Sequence, residues 1–387
     1  MKYLVLVGEA LADEPVEDLA GRTPLEAAKT PAMDHLAKNG MVGQATHIPL
    51  GLPLLPDIAC LSVLGWDPKR CYTGVAPLDA AAFGMVQTDA ETAFRCDFIT
   101  VLDGRIVDAA AGKISDGESR VLVEELNRKL SGPGVTFHAG EGYKNILTVS
   151  DAELAADLED LECAVPAALV GEVFSKHLSR GKGSELLREW MEKSREVLEN
   201  HEINRVRIDL RENPANMIWL WGQGKKPKLR GFEQERGLPA LAASEASFAR
   251  GLGILSGMDT AATLDLAADD HPFVFVFRQA QAGGKPAKDL KDKIKWIEEF
   301  DAFVAASVKA AQKKGGVRVL VTTDYPRSLN RQSGDHGHVP FLISGEGVPA
   351  DASAGPFHEK TASQSTHVLD EGHRLLDLFM KGASGAT

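Results

Sequence analysis

Three short runs of the chain are apolar at nearly every position: YLVLV at 3–7, the FVFVF of HPFVFVF at 271–277, and the VRVLV that opens VRVLVTTD at 317–324. A strand with one face in water alternates apolar and polar side chains, whereas a continuous run requires cover on both faces. The cover is supplied nearby. TPLEAAKTPAMDHLAKNG at 23–40 carries a helix with Thr30 as N-cap, Pro31 in the first turn and Gly40 as the stop. KDLKDKIKWIEEFDAFVAASVKAAQKKGG at 288–316 carries a longer amphipathic one, and VPFLISGEG at 339–347 adds a further strand. Strands alternating with helices predict an α/β chain built on a mainly parallel sheet sandwiched by helices. In such sheets chemistry sits just past the carboxyl ends of the strands, which here means Glu9, Ala282 with its neighbours, and Asp324.

From about 91 to 205 the pattern changes to shorter strands (FRCDFITV, VTFHAG, NILTV) with frequent Pro and Gly, ending in the charged helix SELLREWMEKSREVLENHE. This predicts a small inserted α+β domain over 91–205, with the core domain formed by 1–90 and 206–387. A length of 387 residues is compatible with that division. The net charge of −12 argues against nucleic acid as a partner, since phosphate backbones need a basic surface. The basic clusters at Lys225-Lys226 and Lys313-Lys314 read as solvated surface. No stretch approaches the roughly 18 consecutive apolar residues of a membrane span. The N-terminus reads as a buried first strand rather than a secretion signal. Cys60, Cys71, Cys96 and Cys163 show no CxxC spacing, so the expectation is a cytoplasmic protein with reduced thiols.

Several longer strings then resemble one family. LADEP with GRTPLEAAKTPAMDHLAKNG, LSVLGWDP, CYTGVAPLDAAAFGM and NPANMIWLWGQGKKP are similar to the archaeal-type cofactor-independent phosphoglycerate mutases of the alkaline phosphatase superfamily. NPANMIWLWGQGKKP looks especially like the bacterial branch proposed to act as homoserine kinases. The resemblance covers Met1 to about Gly347, and implies an alkaline-phosphatase-like core with a small inserted domain. It also implies two divalent metals, such as Mn, Mg or Zn, held by Asp and His, and a serine that becomes phosphorylated.

Carried over position by position, that machinery is altered. The nucleophilic serine of the family's P-G-S-D turn falls on Pro56, in GLPLLPDIACLSVLGWDP at 51–68, and proline offers neither hydroxyl nor N–H. The aspartate after the first strand falls on Glu9, whose extra methylene shifts its oxygens relative to an aspartate's. The D-E-A-G-H cluster falls on Ala282 to Pro286, neither of which can ligate a metal. The Asp-His pair after VLVTT becomes Asp324-Tyr325, and the following histidine falls on Gly334. The arginine of Y-T-G-R becomes Val75, and an S-A-G-H-like string in the inserted domain reads Ala110-Ala111-Gly112-Lys113. The segment after GMDT, at 257–260, is also shorter than the family's. Tyr325 reads as a ring filling space, Ser62 as structural, Ser333 as a nearby hydroxyl, and Trp219 and Trp221 as core. Asp335, His336 and His338 could form a relocated metal site with Asp324 and Glu9, and Lys113, Lys144 and His138 could bind an anion.

The expectation is a protein that has lost metal-dependent phosphotransfer, needs no cofactor, and binds a phosphorylated small metabolite or a partner enzyme. The alternative is a working mutase or homoserine-kinase-like phosphotransferase with a remodelled site.

Overall fold

Strand Lys2–Gly8 is central because both of its edges are paired in parallel, to Phe273–Arg278 on one side and Val317–Thr323 on the other. In the computed structural model, which describes residues 1–280, 289–331, 333–350 and 355–382, these three belong to an eight-stranded sheet. Beyond Phe273–Arg278 come Ala240–Ala243 and Asp259–Ala261, both parallel. Beyond Val317–Thr323 come Val339–Gly345, antiparallel to both neighbours, then Gly40–Ala45 and Val368–Leu369. The sheet is therefore mainly parallel, as the uninterrupted apolar runs require.

Alternation along each strand feeds two apolar layers. Leu4, Leu6, Val274, Val276, Val319 and Val321 join Trp296, Ile297, Phe300 and Val304 of helix Leu290–Gln312 in one buried cluster. On the opposite face Tyr3 meets Phe379 at 5.7 Å between ring centroids, Phe273 meets Phe232 at 4.5 Å, and Phe277 meets Phe248 at 5.2 Å. Helix Pro31–Lys38 starts after Thr30, although the Thr30 side chain makes no capping bond. Gly40 does not act as a helix stop. It opens strand Gly40–Ala45, where a Cβ would lie 2.2 Å from the Ile343 carbonyl oxygen, so close strand approach is what demands glycine.

The chain separates into two units, Met1–Tyr72 with Leu229–Thr387, and Thr73–Lys228. The boundaries read from sequence, 90 and 206, fall elsewhere. Strand Met217–Gly224 pairs antiparallel with Thr92–Leu102, from Ile99↔Met217 to Ala93↔Gly224, and so belongs to the second unit. Its continuous apolar run, MIWLW, cannot be told from a core strand by periodicity alone. Thr92–Leu102 is also flanked by Lys144–Val149, with Val135–Glu141 and Arg105–Asp108 completing an antiparallel sheet.

That sheet buries a charged group. Arg95 reaches Asp79 Oδ2 at 2.6 Å and Asp97 Oδ1 at 2.6 and 2.9 Å, and the Trp221 indole N–H donates to Asp97 Oδ2 at 2.8 Å. All four side chains are buried. Removing one partner from such a network leaves uncompensated charge in the interior, at about 3–5 kcal/mol. Arg95→Leu should therefore lower unfolding free energy by about that amount in urea titrations; a loss below about 1 kcal/mol would contradict the account.

In the first unit His271 stands between Asp269, at 2.6 Å from Nδ1, and Asp259, at 2.9 Å from Nε2. Desolvation works to lower its pKa, but the hydrogen bonds to both carboxylates outweigh it and the net shift is upward. A raised folded-state pKa stabilises the fold below the ordinary histidine value, and that contribution is lost as pH rises through the folded value. His271→Gln should remove this component of the stability–pH curve, about 1 kcal/mol or less after allowing for the exposure of Asp259. Unchanged curves for wild type and variant between pH 6 and 9 would rule it out.

Candidate functional site

Parallel pairing in register, Gly8 opposite Thr323, delivers Glu9 and Asp324 side by side at the carboxyl ends of adjacent strands. Each carboxylate has one oxygen fixed by backbone. Glu9 Oε2 accepts from the Ala280 N–H at 3.0 Å, and Asp324 Oδ1 accepts from the Ala10 N–H at 2.8 Å. The turn that aims this second donor holds Ala10 at φ 57°, in the left-handed region where an alanine is strained. The remaining oxygens converge on one cation. Arg327 Nη1 lies 3.0 Å from Glu9 Oε1 and Nη2 lies 2.7 Å from Asp324 Oδ2. Burial pushes the Glu9 carboxyl above its ordinary pKa against the pull of Arg327. The two carboxylates in turn drive the already high Arg327 value further up, over an opposing desolvation effect.

The backbone that carries Arg327 is tied down. Its N–H donates to the Ala12 carbonyl at 3.1 Å, and its carbonyl accepts from Lys293 Nζ at 2.8 Å. Lys293 also pairs with Asp13 at 2.6 Å, both side chains being buried. Next along, Ser328 donates to Glu14 at 2.5 Å and Arg331 reaches Glu14 at 3.0 Å.

Pro56 is the first residue of helix Pro56–Val63, preceded by an extended Leu55 at φ −129° and ψ 140°. Proline suits that position because its fixed φ is helical and its missing N–H has no helical partner to lose. Ile48, Ile58, Ala59 and Tyr325, with Leu52, Leu54, Leu55 and Tyr72 against them, form an apolar cluster. Burial raises the Tyr325 phenol pKa, which makes it a worse nucleophile, and its ring stacks 4.5 Å from the Arg327 guanidinium. Tyr325 thus packs between an apolar cluster and the Arg327 guanidinium. A Cβ on Gly334 would lie 2.6 Å from Tyr325 Cε2 and 3.0 Å from Leu54 Cδ1, so a side chain there would require these two to move.

The relocated metal site does not assemble. His336 Nδ1 lies 3.3 Å from the Ile48 carbonyl, His338 Nε2 lies 2.9 Å from Asp370, and Asp335 lies 4.0 Å from Arg331. The polar loop spends its side chains on three separate neighbours. Among the described residues no group of three or more His, Cys, Asp or Glu is placed to hold a metal ion. Ala282 and Pro286 lie outside the described residues. In the second unit Lys113 is exposed in the turn Ala111–Lys113, while Lys144 lies in strand Lys144–Val149 beside the Tyr143 ring. Burial lowers the Lys144 pKa. His138 bonds Thr148 at 2.9 Å, and Val75 is buried where a Cβ on Gly222 would meet it at 2.5 Å. Sequence reasoning missed Arg327, whose only local signal is its position three residues after the strand-end Asp324.

A family profile described as 2,3-bisphosphoglycerate-independent phosphoglycerate mutase matches residues 37–204. A probable 2,3-bisphosphoglycerate-independent phosphoglycerate mutase of Geobacter sulfurreducens is 34% identical over 98% of this chain and 100% of its own length. One from Methanothrix thermoacetophila is 35% identical over 99% and 100%. Among solved structures, the PH0037 protein from Pyrococcus horikoshii has a TM-score of 0.74 at 24% identity, covering 98% of this chain and 96% of its own. The cofactor-independent phosphoglycerate mutase from Thermoplasma acidophilum has a TM-score of 0.58 at 24% identity, covering 99% and 100%. These two show that the fold is shared.

Whole-length kinship corrects the expectation that no metal cofactor is involved, because the two divalent ions the resemblance implies are a property of the family these relatives represent. The described residues do not fit such a pair as they stand. A guanidinium occupies the focus of Glu9 and Asp324, and a side chain on Gly334 would collide with Tyr325 and Leu54.

The packing around Gly334 is directly testable. Gly334→Ala should cost about 1–3 kcal/mol by overpacking, and most of that cost should disappear in a Tyr325→Ser background. Equal penalties in both backgrounds, read from urea unfolding, would show that the Tyr325 ring is not what closes the site.

Proposed function

Because the chain belongs to the 2,3-bisphosphoglycerate-independent phosphoglycerate mutase family, we propose that it acts on the phosphoglycerates for which that family is named, through a remodelled site. The observation that supports this reading is similarity of 34–35% along essentially the whole chain to relatives named as such mutases. An acceptor other than residue 56 is then required, since proline cannot be phosphorylated. Tyr325 and Cys60 are poor substitutes, as burial raises the pKa of each. The role is a cytoplasmic one, in keeping with free thiols at Cys60, Cys71, Cys96 and Cys163.

Pro56 and the Arg327 bridge favour a second reading. In it the chain has given up metal-dependent phosphotransfer and binds a phosphorylated metabolite or a partner enzyme in central or amino-acid metabolism. Loss of a nucleophile in a residue set that works as a unit typically removes several orders of magnitude of rate. Kinship with the homoserine-kinase-like branch rests on the NPANMIWLWGQGKKP string alone.

One assay separates these. Purified protein is supplied with 3-phosphoglycerate, or with homoserine and ATP, in Mn²⁺, and product is followed with and without chelator. Chelator-sensitive formation of 2-phosphoglycerate supports the remodelled mutase. No turnover, with saturable phosphoglycerate binding by calorimetry, supports the second reading. In either case Pro56→Ser should leave turnover within about twofold of wild type and yield no phosphoserine by mass spectrometry, because the groups that would activate the hydroxyl are not assembled around it. Phosphate found on Ser at position 56 would refute that.

A further inference from the structure

We propose that His271 is a proton-operated latch on the outermost strand of the first unit's sheet, closed while its ring is charged and open when the ring is neutral. That strand, Asp259–Ala261, lies at the end of the strand order and pairs with Ala240–Ala243 over a short register, from Leu241↔Asp259 to Ala243↔Ala261. Its first residue, Asp259, lies 2.9 Å from His271 Nε2, while Nδ1 of the same ring lies 2.6 Å from Asp269. Both ring nitrogens therefore face carboxylate oxygens, and only the imidazolium can donate to both at once. A neutral ring keeps one proton and turns a lone pair on the other carboxylate. The latch sits at the amino ends of the strands, away from Glu9 and Asp324, and does not depend on turnover.

The two arms are unequal, and that decides which one opens. The Asp269 side chain is only 7% exposed, so the neutral ring keeps its proton on Nδ1 to serve it. Asp259 is 80% exposed, and water can replace the ring there. The turn that carries Asp269 stays anchored without the latch. Lys2 Nζ pairs with the Asp269 carboxylate at 2.5 Å and donates to its carbonyl at 2.8 Å. Lys314 Nζ reaches that carbonyl and Asp270 Oδ1, each at 2.8 Å. Lys2, Lys314, Asp259, Asp269 and Asp270 are thus the charged groups set around the ring and its turn. Loss of the His271 proton frees the start of the outer strand and leaves the turn in place. Burial works against the charged ring, but the hydrogen bonds to Asp269 and Asp259 outweigh it and the shift is upward. The latch is therefore closed below the ordinary histidine range and opens as pH rises through the folded value.

The test is hydrogen exchange of the full-length protein, followed by mass spectrometry of peptides that contain the outer strand and corrected for intrinsic exchange at each pH. In wild type, protection of Asp259–Ala261 should fall about three- to fivefold from pH 6 to pH 9, an effect kept small by the exposure of Asp259, while that of Lys2–Gly8 stays constant. Asp259→Asn should remain protected across the range, because an amide can accept from the charged ring and donate to the neutral one. Asp259→Ala should be as open at pH 6 as wild type is at pH 9. His271→Gln should lose the pH dependence altogether. Flat protection in wild type, a pH step that persists in Asp259→Asn, or equal loss of protection in Asp259→Asn and Asp259→Ala would each overturn the proposal. Because Asp259 is exposed, its two variants decide the matter even if His271→Gln does not fold.

Discussion

Two parallel strands in register place two carboxylates at one sheet end, and such a pair cannot be buried without a cation. Much of the site's arrangement follows from that requirement. In this chain the cation is Arg327, bridging Glu9 and Asp324. It needs a backbone position that can reach both, and the links from Ala12 and Lys293 to the Arg327 backbone supply it. The buried Lys293–Asp13 pair is part of the same support, since Lys293 bonds both the Asp13 carboxylate and the Arg327 carbonyl. A buried ion pair adds little net stability by itself, because desolvation offsets most of the attraction. What it does here is fix the arrangement of the strand ends.

Around the bridge, space has been closed with apolar atoms. Tyr325 lies over Arg327 and presses on Gly334, while Leu54 and Leu55 bring the loop before helix Pro56–Val63 into the same cluster. A proline at the start of that helix is favourable locally and unreactive chemically. These features belong together. A hydroxyl awaiting activation needs polar, ion-lined surroundings, whereas a ring stacked on a guanidinium needs dry ones. The same residues therefore also make a well-packed interior.

The second unit repeats the principle in an antiparallel sheet. Asp79 and Asp97 converge on Arg95, and the Trp221 ring lies 5.2 Å from its guanidinium while donating its N–H to Asp97. Lys144, read from sequence as a possible anion ligand, stands opposite Asp97 in the strand register and beside Tyr143. Burial lowers its pKa, against the opposing pull of the Asp79 and Asp97 carboxylates.

The sequence alone determined the mainly parallel sheet, because YLVLV, FVFVF and VRVLV cannot be half-solvated. It also determined that residue 56 cannot be phosphorylated, since that depends only on which atoms proline has. Resemblance carried the family and pointed to Glu9, Asp324, Tyr325 and Gly334. The unit boundaries were decided by tertiary pairing, because MIWLW is equally suited to either sheet and only its register with Thr92–Leu102 assigns it. The cation was decided there too. An arginine three residues after a strand-end aspartate has no distinctive pattern of its own. Its role arises when strand register brings Glu9 alongside Asp324, a contact between residues more than three hundred positions apart that local sequence does not encode.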